Sequence, residues 1–181
     1  WIEFVEQDVA EMFSECDKVY VIGSSMGSDL ALHLSTVFPL SAAVFAATVL
    51  EFMDYIGTRL LTPLFHKIVP TRKKSYSYPK NVRDTLKYYG YTVWPMSAVN
   101  EMRKLTNKVK KELHSVNVPA LIIQSQQDTL QHPSNTPLVY NSISSSIKEK
   151  LVVNNVGHNL LLSSPDQEII FQKIVSFIQS A

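Results

Sequence analysis

Apolar positions along the chain change period at residue 18, and the change carries most of the local information. Trp1, Val5, Val9, Met12 and Phe13 fall at helical intervals with Glu3, Glu6, Gln7 and Glu11 between them, which predicts an amphipathic helix from residue 1. Val19-Tyr20-Val21-Ile22 then reads as a fully buried strand within Lys18–Ile22, and Leu30, Ala31, Leu34 and Phe38 restore the helical period over Met26–Phe38. Pro39 stops that helix, and Ala42–Leu50 predicts a second buried strand. After a long interruption, Ala120–Ile123 and Ile147–Val153 read as strands. Pro133–Ile143 and Ser164–Ile178 read as helices, the last with Ser164, Pro165 and Gln167 as N-cap, first-turn proline and capping-box partner and with Ile170, Ile174 and Phe177 buried. Strands alternating with helices predict a parallel sheet whose ligands sit beyond the carboxyl ends of its strands.

The interruption has its own character. From Glu51 to about Val116 the chain is helix-like, aromatic and basic, punctuated by Pro63, Pro70, Pro79 and Pro95, and Val99, Met102, Val109 and Leu113 form one helical stripe near its end. It is too long for a connection in a compact α/β unit, so it predicts a helical insertion over 51–116 in a core made of 1–50 and 117–181. The basic runs Arg72-Lys73-Lys74 and Lys108–Lys111 read as solvated faces of that insertion, the alternative being attraction to an anionic membrane or substrate surface.

Composition narrows the class. The 181 residues are 45% apolar and 18% charged, with a net charge of +1, which argues against a nucleic-acid groove. The single Cys16 excludes an internal disulfide framework and a cysteine zinc site, and it suits a reducing compartment, the cytoplasm being the expectation. The longest apolar stretch, Ala42–Leu50, is too short to span a bilayer, so no stable membrane insertion is expected.

The candidate chemistry sits where the elements meet. Gly23-Ser24-Ser25-Met26-Gly27 places a Gly-x-Ser-x-Gly pentapeptide between strand and helix, the turn that exposes a nucleophilic serine. Gly23 and Gly27 are expected where strand and helix backbones come too close for a Cβ, and the helix N-terminus favours negative charge beside Ser25. A serine needs a base and the base an orienting acid. Asp128 follows the strand Ala120–Ile123 and His158 follows Ile147–Val153, with Gly157 giving backbone freedom to aim the imidazole. Asp128 could instead cap the next helix, His158 could be an ordinary loop histidine, and Asp54 is a rival acid. Against those readings, three required residue types stand in order at three strand ends. His33 is expected packed or exposed, and His66, His114 and His132 show no metal-ligand pairing.

The pieces Val21-Ile22-Gly23-Ser24-Ser25-Met26-Gly27, Val118-Pro119-Ala120-Leu121-Ile122-Ile123, Gln127-Asp128 and Gly157-His158 resemble the α/β-hydrolase superfamily, and the insertion resembles the cap of bacterial carboxylesterases and monoacylglycerol lipases. The resemblance covers the second part of such a fold, a partial α/β-hydrolase core with a helical cap. It implies Ser25 as nucleophile, His158 as base, Asp128 as orienting acid, the Met26 N–H as one oxyanion donor, and an acyl pocket lined by the cap. Phe52, Tyr55, Leu60, Leu64, Tyr89 and Trp94 are the candidate substrate contacts. It further implies cleavage of a small carboxylic ester through an acyl-enzyme, with no cofactor and no metal. The competing readings are a non-catalytic protein of the same fold holding a small apolar ligand, and the same triad used for acyl transfer or amide hydrolysis. Such enzymes carry strands before the serine strand and a second oxyanion donor among them. A missing N-terminal segment is therefore expected, with self-association or strand pairing along 19–22 and weak activity of the chain alone.

Overall fold

Both faces of a four-stranded parallel sheet are covered by helices, and the period of two along each inner strand decides which side chain goes to which face. The computed structural model describes residues 1–74, 84, 90–162 and 165–181. In chain order the elements are α1 (Ile2–Glu15), β1 (Tyr20–Ser24), α2 (Met26–Val37), β2 (Ala42–Ala46), and a π-helix Ile56–Leu61 running into α3 (Thr62–Phe65). They continue with β3 (Thr71–Lys73), β4 (Val93–Pro95), α4 (Met96–Glu112), β5 (Ala120–Ser125), α5 (Asn135–Ser142), β6 (Lys148–Val153) and α6 (Gln167–Ser180). The chain divides into two compact units, one made of Trp1–Met53 with Leu105–Ala181, the other of Asp54–Lys104.

In the first unit the strand order is β1-β2-β5-β6, all parallel, with Ile22 opposite Val44, Val44 opposite Leu121 and Leu121 opposite Glu149. Ala43 and Phe45 of β2 with Ala120 and Ile122 of β5 face one core, where Leu30, Leu34, Val109, Leu113 and Val139 pack. Ala42, Val44, Ala46, Leu121 and Ile123 face the other, closed by Ile170, Ile174 and Phe177 of α6. Double coverage explains why the inner strands read as unbroken apolar runs.

Several expectations shift. The serine strand is not fully buried: β1 pairs only with β2 among the described residues, so Ile22 stays 48% exposed. The run Ala42–Leu50 is buried throughout, but the strand ends at Ala46 because Ala47 turns to φ 49°. On α1 the packed stripe is Ile2, Val5, Val9 and Phe13, with Phe13 stacked on Phe38; Trp1 and Met12 lie at its margin and stay exposed. The last helix starts at Gln167 with Asp166 at its N-cap, and Gln167 Nε2 donates to the Leu161 carbonyl rather than closing a capping box; Ser164 lies outside the described residues.

The second unit is not helical throughout. Its β3 and β4 form an antiparallel pair, Thr71 opposite Pro95 and Lys73 opposite Val93, with Lys74 Nζ 4.2 Å over the Trp94 ring. The β-branched Thr71 and Val93 suit a strand, and Pro70 and Pro95 bound the pair. No helix among the described residues is long and apolar enough to cross a membrane.

Candidate active site

The turn after β1 is strained in a way that a structural serine does not require. Ser25 takes φ 56° and ψ −123° as it enters α2, a conformation that costs ~1–3 kcal/mol in a non-glycine residue. The surroundings hold it there. Ser25 N–H donates to the Ala46 carbonyl at 2.9 Å, and the Ser25 carbonyl accepts from Ser28 N–H at 2.9 Å. Gly23 is what lets α2 start so close to β1: a Cβ there would lie 2.2 Å from the Gly27 carbonyl oxygen. A Cβ on Gly27, by contrast, would meet nothing within 4 Å, so the close approach is solved by one glycine and not two.

Ser25, His158 and Asp128 come together. The Ser25 hydroxyl lies 2.7 Å from His158 Nε2, and His158 Nδ1 lies 2.7 Å from Asp128 Oδ2. With the ring proton on Nδ1, the imidazole donates to the carboxylate and accepts from the serine. The Asp128 side chain is buried, with the His158 ring partly so, which limits competition from water. Asp128 does not cap α5. Its Oδ1 accepts Leu130 N–H at 2.8 Å and Gln131 N–H at 3.3 Å, which turns the loop and leaves Oδ2 for the histidine. Gly157 has no left-handed φ and a Cβ on it would meet nothing, so aiming His158 does not depend on glycine freedom.

The aim comes instead from contacts between loops. Ser125 Oγ donates to the Val156 carbonyl while accepting Gln127 N–H at 3.0 Å, tying the aspartate loop to the histidine loop. Asp166 accepts Asn155 N–H at 3.1 Å and Asn155 Nδ2 at 3.2 Å, anchoring the histidine loop to the start of α6. Asn135 Oδ1 accepts Glu51 N–H at 2.6 Å and its Nδ2 donates to the Glu51 carbonyl at 2.9 Å, holding the chain beyond β2 against α5. Nothing in local sequence marks Ser125, Asp166 or Asn135, because each partner is remote along the chain.

Met26 opens α2, where helix N–H groups lack intrahelical acceptors. Phe52 makes an isolated antiparallel bridge with Gln131 in the first unit. Tyr55, Leu60 and Leu64 of the second unit are exposed and Trp94 is half-buried; Tyr89 lies outside the described residues. Asp54 is engaged elsewhere in the second unit, where Arg72 at 2.9 Å, and then Gly57 N–H at 2.8 Å, hold its carboxyl below the ordinary value. His33 is buried, with Nε2 2.9 Å from Glu6 and Nδ1 2.9 Å from Glu112. Among the described residues no cluster of His, Cys, Asp and Glu could hold a metal.

Known proteins share this arrangement of elements. The thermostable monoacylglycerol lipase of Bacillus sp. strain H-257 is 24% identical over 194 residues, covering 98% of this chain and 69% of the lipase. A solved structure from the study of the metagenome-derived lipolytic enzymes LipS and LipT superposes with a TM-score of 0.83 at 25% identity, over 100% of this chain and 73% of that one. The monoacylglycerol lipase of Paleococcus ferrophilus gives a TM-score of 0.80 at 12% identity, over 99% and 74%, a likeness of fold. The family model described as serine aminopeptidase, S33, matches residues 2–165. The chain therefore belongs to the serine aminopeptidase S33 family of α/β hydrolases.

Proposed function

We propose that the protein is a serine hydrolase of carboxylic esters that works through an acyl-enzyme on Ser25. The unbroken chain from the Ser25 hydroxyl through His158 to Asp128, two contacts of 2.7 Å, carries this reading. His158 Nε2 takes the Ser25 proton as Oγ attacks the ester carbonyl, and Asp128 stabilises the imidazolium. The carbonyl oxygen becomes an oxyanion at the start of α2, where the Met26 N–H and the positive end of the helix meet it. Collapse of the tetrahedral intermediate breaks the ester C–O bond, and His158 returns its proton to the departing alcohol. Water then attacks the acyl-serine with His158 again as base, releasing the acid and restoring the Ser25 hydroxyl.

The substrate class we assign is a small ester with an apolar acyl group, of short to medium chain length or a monoacylglycerol. The likeness to a monoacylglycerol lipase at 24% identity supports it, as does the aliphatic and aromatic content of the second unit. Labelling by a fluorophosphonate probe tests the mechanism. The expected result is one covalent adduct on Ser25, lost in Ser25→Ala and slowed at least ~10³-fold in His158→Ala. A wild-type chain that binds apolar ligands without ever being labelled would favour a non-catalytic binding protein.

A further inference from the structure

The serine helix carries an acidic side chain, Asp29, that the mechanism above does not use. Asp29 lies in the first turn of α2 and is fully buried. Its N–H points at the Ser25 carbonyl, 3.4 Å away, so its Cα lies one helical turn, ~6 Å of rise, beyond that of Ser25, and the two residues share one face of the helix. Oδ1 accepts Val49 N–H at 3.2 Å, while Oδ2 is buried with no hydrogen-bond partner. The adjacent Ser28 Oγ shares a 2.7 Å hydrogen bond with Thr48 Oγ1. The chain leaving β2 is thus fastened twice to the serine helix, at Thr48 and Val49. Just before them, Ala47 takes its positive φ and Ala46 accepts Ser25 N–H.

An unpartnered charged oxygen in such a place costs far more than an unpartnered hydroxyl. Burial accordingly pushes the Asp29 carboxyl up to about 8, against the opposing pull of Val49 N–H and of Lys110. Lys110 on α4 is the cation acting on it, and that ammonium is paired with Glu51. On α2 itself the next titratable side chain is His33, already engaged by Glu6 and Glu112.

We propose that Asp29 is a positioning residue that works in its uncharged form. It holds the exit of β2 against the nucleophile turn while keeping negative charge out of the helix turn where the oxyanion must form. The role rests on Ser25 being the nucleophile. Its consequence is an alkaline limit on turnover: once Asp29 ionises, a like charge faces the developing oxyanion across one turn of helix. At that separation the repulsion lowers kcat by about tenfold or more, with little change in KM because the neutral ester carries no charge to repel.

The test compares wild type with Asp29→Asn, which keeps an acceptor for Val49 N–H and cannot ionise. Asp29→Thr serves the same purpose if the Asn variant does not fold. Two readouts are taken: kcat and KM for a neutral short-chain ester from pH 6 to 10, and the thermal midpoint from pH 4 to 9. The sign of the second follows from linkage. The folded protein holds the Asp29 proton more tightly than the unfolded chain, so the stability that proton contributes is complete below the ordinary value of 3.8. It is lost progressively as pH rises toward 8. The variant should therefore gain on wild type in thermal midpoint up to about pH 8 and then run parallel, and its kcat should lack the alkaline fall. An alkaline fall that persists in the variant, or a midpoint difference independent of pH, overturns the proposal. Absence of ester hydrolysis in both proteins at every pH overturns the hydrolase reading and this role with it. The midpoint difference still reports whether the buried proton exists.

Discussion

At Gly23 and Gly27 two identical residues do different things, and only distances separate them. The Cβ of an alanine at 23 would collide with backbone, which cannot rotate away, so Gly23→Ala should lose about 1–3 kcal/mol. Gly27 sits inside α2 with open space around it and no left-handed φ. Gly27→Ala should keep or raise stability by about 0.5–1 kcal/mol through helix propensity and a less flexible unfolded chain. Urea unfolding of both variants checks this, and equal losses would contradict it. At Ser25 the strained φ is held by the Ala46 carbonyl and by the room Gly23 leaves. The pentapeptide therefore needs its first glycine for packing.

Between elements, a buried histidine joins three helices. His33 of α2 meets Glu6 of α1 on one nitrogen and Glu112 of α4 on the other, and Glu112 also accepts from Lys108. Burial pushes the Glu112 carboxyl up, but the Lys108 and His33 bonds outweigh it and leave the group below its ordinary 4.5. A folded-state value below the unfolded one means stability that is present above about pH 4.5 and lost as pH falls through the lowered value. Glu112→Gln should then destabilise the protein at pH 7 by about 1 kcal/mol, a fall of roughly 2–4 °C in thermal midpoint. The gap to wild type should close in acid. A gap of constant size from pH 7 to pH 3 would show that Glu112 acts by shape alone. The periodicity of α1 and α4 marks both as amphipathic, yet it does not reveal that their acidic residues converge on one ring.

For the whole molecule, the second unit holds the exposed apolar side chains Tyr55, Ile56, Leu60, Leu64 and Ile68, and an esterase of the kind proposed should use that unit to select the acyl group. Trp94→Ala and Leu64→Ala should each shift the ratio of kcat/KM between short and medium acyl esters by about 3–10-fold, the scale of one or two lost apolar contacts. Unchanged preference in both variants would assign selection elsewhere.

Local order along the chain was enough to specify the strands and helices of the first unit, the strand–serine–helix junction, and the succession of Ser25, Asp128 and His158 at strand ends, since period and turn chemistry are local properties. Its limits lie where an outcome depends on a remote neighbour. The exposure of Ile22 follows from the place of β1 in the sheet, and the end of β2 at Ala46 from the turn at Ala47 that brings Thr48 and Val49 to Ser28 and Asp29 of α2. In the second unit the β3–β4 pairing joins stretches that read separately as helix-like. The tertiary structure alone brings Ser125 to Val156, Asn155 to Asp166 and His33 to its two glutamates, and buries Asp29 with one oxygen unpartnered. Hydrogen-bond partners and desolvation are set by whatever the fold places nearby, and residue spacing encodes neither.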